Sequence, residues 1–132
     1  MSLDPRLTLA RARERLGGRV AGSHGRAGEI VRVGETLGVI LFSDAASCDV
    51  WLGEGKTQRV AFDSIARVDD ATMTPVAEDA RAFARLEEGA SVTFDGDDAG
   101  RLIEKCRFGG LVARADGRIF AVGFRRFVKT AS

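Results

Sequence analysis

The chain has 132 residues, 45% hydrophobic and 30% charged, a balance that excludes a disordered polymer and allows one domain or two very small ones. A net charge of +1 supplies no global field toward nucleic acid or an anionic membrane, so any such affinity must come from a local patch. The longest apolar run, residues 37–42, is far short of a membrane span, and residues 1–16 carry four arginines but no apolar signal-peptide segment.

A helix is expected first. Asp4-Pro5 sets a capping residue before a proline at the first helical position, and Gly17-Gly18 supplies the stop. Arg6, Arg11, Arg13 and Arg15 share this helix with Leu7, Leu9 and Leu16, which suits either an acidic surface or the cap of a first barrel. Strands follow near residues 19–23, 29–33, 36–43, 48–52 and 57–62, punctuated by Gly22, Gly28, Gly34, Gly53 and Gly55. A 3₁₀ turn at 63–65 and a closing strand at 66–68 complete this stretch. Thr74-Pro75 and Gly89 frame a second helix, with Val76, Ala80, Phe83 and Ala84 on one face. Strands near 91–94, 101–105, 109–114 and 118–124, a turn at 125–127 and a final strand at 128–130 end the chain.

The second stretch repeats the first. At a shift of 72, Gly17 meets Gly89, Val20 meets Val92, Gly28 meets Gly100 and Gly38 meets Gly110. At a shift of 62, Gly55 meets Gly117, Val60 meets Val122, Phe62 meets Phe124 and Ile65 meets Phe127. This register gives the first copy ten extra residues within 45–54, a longer hairpin that carries Cys48 and Trp51. The expected fold is mainly β, two tandem five-stranded barrels each preceded by a short α-helix. The expected division is residues 1–69 and 70–132.

The order Gly89-x-x-Val92, Gly100, then Val122-x-Phe124-x-x-Phe127, repeated as Gly17-x-x-Val20, Gly28 and Val60-x-Phe62-x-x-Ile65, resembles SH3-like barrel modules of the KOW and Tudor-like kind. The resemblance covers roughly residues 17–68 and 89–130. It implies small β-barrels that bind RNA, or ribosomal and polymerase surfaces. Tudor-type recognition of methylated side chains needs an aromatic cage. This chain has no tyrosine, and Trp51 stands without a second aromatic beside it in sequence.

Motifs for chemistry are weak. His24, the single histidine, looks like an exposed loop residue without a visible catalytic partner. Asp95-Gly96-Asp97-Asp98 has the flavour of a calcium loop, but the twelfth position is Cys106 rather than a glutamate. Gly53-Glu54-Gly55-Lys56-Thr57 ends like a phosphate loop, yet Val50 stands where the earlier glycine belongs. Cys48 and Cys106 lie far apart and suit buried free thiols of a cytoplasmic protein. No catalytic, cofactor or metal residue is expected, and the chain is taken as non-enzymatic.

Charge is the informative signal. From Gly89 onward eight basic residues face five acidic ones, while residues 17–69 hold six and seven. Arg114, Arg118, Arg125, Arg126 and Lys129, with Phe108 or Phe120 to stack bases, form the expected surface for nucleic acid or a ribonucleoprotein. The plain alternative is a solvated face whose charges balance the acidic hairpin tip. A protein partner at the Trp51 hairpin or at a β edge is the competing function. No membrane contact is expected, and sequence leaves the oligomeric state open.

Overall fold

The computed structural model describes residues 5–19, 23–53 and 56–128, with side chains from residue 9 onward. Helix α1 (Pro5–Arg15) is followed by strands β1 (Ile30–Val33), β2 (Thr36–Ser43), β3 (Ser47–Gly53), β4 (Lys56–Ala61) and β5 (Ile65–Arg67). Helix α2 (Thr74–Arg85) leads to β6 (Ser91–Phe94), β7 (Asp98–Lys105), β8 (Gly109–Ala113) and β9 (Ile119–Gly123). Short 3₁₀ turns at Phe62–Ser64 and Phe124–Arg126 follow β4 and β9. The architecture is mainly β, with two antiparallel sheets in the orders β4-β3-β2-β1-β5 and β6-β7-β8-β9. Neither sheet closes on itself. No helix among the described residues is long and apolar enough to cross a membrane.

Two compact units are present, residues 21–85 and residues 1–20 with 86–132. A division at 69/70 follows chain order, whereas this grouping follows packing. In the first unit, Val31, Ile40, Cys48, Val50 and Val60 point to one side and form the core, as the period of two along each strand dictates. Gly34 opens the β1–β2 turn with φ +63°, the conformation a two-residue hairpin asks of its first turn residue. Helix α2 packs on β2. It buries Val76, Ala77, Ala80 and Phe83, and the Phe83 ring meets Phe42 edge-on at 6.4 Å. The predicted apolar stripe is therefore buried at Val76, Ala80 and Phe83, with Ala77 in addition and Ala84 half-buried.

In the other unit, α1 packs on β9 rather than capping the first sheet. Ala12 and Leu16 form one cluster with Cys106 and Leu111, and Leu9, Ile103, Phe108, Ile119 and Ala121 pack against it. The Phe108 amide donates to the Leu16 carbonyl at 2.9 Å, and Arg13 Nε donates to Glu104 at 2.8 Å. The physical reason is complementarity. The outer face of β8 and β9 offers Leu111, Ile119 and Ala121, where β3 and β4 offer Asp49, Thr57 and Arg59.

Strand pairing also corrects the register of the repeat. The Gly28 amide donates to the Ile40 carbonyl, and the Gly89 amide donates to the Leu102 carbonyl in the same way. Val31 pairs with Gly38 as Val92 pairs with Gly100, and Ile40 pairs with Val50 as Leu102 pairs with Val112. Each long strand carries a bulge one step later, between Ile40 and Phe42 and between Leu102 and Glu104. The copies thus superpose at a shift of 62 from Gly38 onward, and the pairs Ser47–Ala61 and Gly109–Gly123 delimit hairpins of equal length. There are no ten extra residues. Glycines recur about once per strand and turn, so a register slipped by one hairpin arm matches them as well.

At the two described ends of the expected first strand near 19–23, Arg19 bridges to Cys106 and Ser23 to Ser43, and residues 20–22 lie outside the described residues. In the second unit the sheet has four strands, and at the place of the expected final strand there is a Phe94–Phe127 bridge and the Val128 amide bonded to the Thr93 carbonyl at 2.9 Å. Asp4, Val20, Gly22, Glu54, Gly55, Lys129 and Thr130 lie outside the described residues.

Candidate polyanion-binding face

The basic residues singled out from sequence do not form one free patch. Arg126 is clamped to Asp95. Its Nε donates to one carboxylate oxygen at 2.9 Å and its Nη2 to the other, while Nη1 reaches the Ala121 carbonyl at 3.3 Å. This bidentate pair ties the 3₁₀ turn to the β6–β7 hairpin and holds the Asp95 carboxyl below its ordinary range. Arg118 is 77% exposed and lies 3.7 Å from Asp116 in the β8–β9 turn. Arg125 is exposed on the same 3₁₀ turn as Arg126. Lys129 lies outside the described residues.

The aromatic candidates divide. Phe108 packs with the α1 cluster, its ring so close to Gly17 that a Cβ there would stand 2.7 Å away. It is part of the helix seat and no platform for a base. Phe120 is half-buried, 6.3 Å from the Phe94 ring, with the Arg114 guanidinium 5.6 Å over its own ring. Trp51 belongs to the other unit, half-buried on β3 between Val39 and Thr57.

Arg114 leads to a feature that sequence reasoning missed. It lines a shallow open groove across β6, β7 and β8 together with Ser91, Thr93, Ala99, Arg101 and Ala113. Ser91, Thr93, Ala99 and Arg101 are exposed, because Val92, Phe94 and Leu102 alternate with them into the core. Among the described residues, no carboxylate pairs with Arg101. The signal in sequence was the alternation Ser-Val-Thr-Phe in β6, whose polar members had to face one way.

The corrected register makes the groove informative. Its positions Ser91, Thr93, Ala99, Arg101, Ala113 and Arg114 correspond to Ile30, Arg32, Leu37, Val39, Trp51 and Leu52 of the first copy. Val39 is fully buried and lies on β2, the strand that α2 packs against. Apart from Arg32, which corresponds to Thr93, the first copy has bulky apolar residues where the second has a hydroxyl, alanines and guanidinium groups.

Other polar groups serve the fold. His24 is half-buried rather than exposed, its ring 4.5 Å from that of Phe42. The imidazole ring has enough apolar surface to pack this way. Both cysteines are buried free thiols, and burial pushes the Cys106 thiol up to about 11, so neither is a ready nucleophile. Asp49 is buried against Arg59 at 2.9 Å. Burial pushes the Lys105 amine down to about 8, and its Nζ donates to the Leu86 carbonyl at 2.7 Å. Asp95 and Gly96 form a hairpin tip, and strand β4 begins at Lys56, where a phosphate loop requires a helix. Among the described residues, no three His, Cys, Asp or Glu side chains gather as a metal site. No protein-family model matches the chain, and no curated protein matches it.

Proposed function

We propose that the chain is a pair of SH3-like modules acting as a non-enzymatic binding protein, and that the β6–β8 groove of the second module takes the sugar-phosphate backbone of single-stranded nucleic acid. The SH3-like reading is supported by the order β4-β3-β2-β1-β5 with a 3₁₀ turn just before β5, and by the Phe127 bridge just after the second 3₁₀ turn. The observation that carries the ligand class is the exchange of Ile30, Val39 and Leu52 for Ser91, Arg101 and Arg114 on equivalent positions of an open face. Guanidinium groups and hydroxyls bind phosphate oxygens, and a floor of glycine and alanine lets an extended strand lie close. A groove without a free aromatic platform reads backbone, not base identity. Such binding is tolerant of sequence and steep in salt.

The test is a salt titration of binding to generic single-stranded RNA and DNA oligomers. Arg101→Glu and Arg114→Glu are expected to weaken binding at low salt. Each contact removed should reduce the slope of log K against log salt by about 0.7. Arg126→Gln is expected to keep both affinity and slope. Equal binding by wild type and Arg101→Glu overturns the proposal. Absence of binding to any oligomer at low salt also overturns it and leaves a protein partner at the Trp51 hairpin or a β edge as the competing reading.

A further inference from the structure

We infer that Asp98 is a built-in competitor for the groove's ligand, a carboxylate that occupies Arg114 until a phosphate displaces it; this rests on the reading of the groove given above. Asp98 Oδ1 lies 3.5 Å from Arg114 Nη1, and both side chains are about two-fifths exposed, at 42% and 40%. The pair is a single long contact, unlike the two-nitrogen clasp of Arg126 on Asp95. Its members stand at the first residue of β7 and just past the end of β8, so they meet at one end of the groove. In the first copy the equivalent positions hold Thr36 and Leu52, so acid and base occur together in the module with the open polar face and are both absent from the other.

An exposed pair of this geometry is weak, because water screens it and both side chains lose freedom in making it. The fold therefore gains little from it. Its consequence falls on the ligand: a phosphate at Arg114 must exchange with the Asp98 carboxylate and then tolerate that negative charge nearby. The Phe120 ring beneath the guanidinium keeps Arg114 at the groove while its partner changes. Asp98 thus lowers affinity and raises the threshold for weak anions, so that only a chain of several phosphates holds the face.

The experiment measures binding of fluorescein-labelled oligouridine to wild type, Asp98→Asn, Arg114→Gln, the double variant and Arg101→Glu at one low salt concentration. Each variant's thermal midpoint verifies its fold, and Asp98→Ser serves as a second removal of the charge. Asp98→Asn and Asp98→Ser are expected to bind about two- to fivefold tighter than wild type, the range set by one exposed ion pair. In the Arg114→Gln background the Asp98 substitution should give a smaller gain, because only relief of its repulsion on the phosphate remains. An unchanged or lower affinity in both Asp98 variants overturns the inference, as does an equal gain with and without Arg114. Weak binding by Arg101→Glu alongside silent Asp98 variants removes the inference alone. Wild-type affinity in Arg101→Glu, or no binding by any variant, removes the reading of the groove and the inference with it.

Discussion

Asp95 sits at the tip of the β6–β7 hairpin with φ +52°, and two guanidinium nitrogens of Arg126 clasp its carboxylate. Arg126 lowers the folded-state pKa of this group, so the pair stabilises the protein above the unfolded value near 4 and ceases to as pH falls through the folded one. Asp44 behaves alike, held at about 2 by the Ala46 and Ser47 amides. Urea midpoints at pH 5 and pH 3 should therefore fall on acidification, and Arg126→Gln should shrink that fall. On the basic side, Lys105 has a folded pKa of about 8 against 10.5 unfolded, so the unfolded chain binds the extra proton in that window. Stability should rise from about pH 8 to 9 until the Cys106 thiol, pushed up to about 11, opposes it. Lys105→Met should abolish the rise in the same urea series.

The elements owe their positions to a few close approaches. A Cβ on Gly38 would stand 2.5 Å from Val50, and one on Gly100 would stand 2.5 Å from Val112. Gly38 pairs with Val31 and Gly100 with Val92, each two residues before the last regular pair ahead of a bulge. Gly38→Ala and Gly100→Ala should each cost about 1–3 kcal/mol by overpacking, measured by chemical unfolding. Equal losses in the two would support the corrected register. Helix α1 covers Leu111 and Cys106 with Ala12 and Leu16, the latter 5% exposed. Leu16→Ala should cost about 2–4 kcal/mol. Deleting residues 1–18 should expose the outer face of β8 and β9 and increase binding of an apolar dye; an unchanged signal would show that α1 does not cover that face.

At the scale of the molecule, one unit is continuous in the chain and the other is not. Residues 21–85 contain β1 to β5 and the helix that packs on them, so this fragment should unfold cooperatively alone. Residues 70–132 contain β6 to β9 together with α2, which packs on β2, and lack α1. That fragment should fold poorly, and a peptide of residues 1–20 should rescue it. Circular dichroism melts of the two fragments test this. A cooperative melt of 70–132 without the peptide would contradict the assignment of α1 to that sheet.

Sequence alone located β1 to β9, both helices and, to within one residue, the 3₁₀ turns after β4 and β9, and it raised the expectation of a repeat. Each rests on local physics: alternation along a strand, proline in the first turn of a helix, glycine at a turn. The match of Val60, Phe62 and Ile65 to Val122, Phe124 and Phe127 held because those residues are core and turn positions in both copies. What lay beyond it depends on contacts distant in the chain. Hydrogen bonding from Gly28 to Ile40 and from Gly89 to Leu102 set the register that glycine spacing had slipped. The apolar face of β8 and β9 drew α1 to the second sheet. Asp95 and Asp98 decided which arginines are held and which can exchange, and Arg101 joined Arg114 only because neighbouring strands set them along one groove. A residue's charge is written in the chain, but its freedom to meet a ligand is fixed by the carboxylates that folding brings beside it.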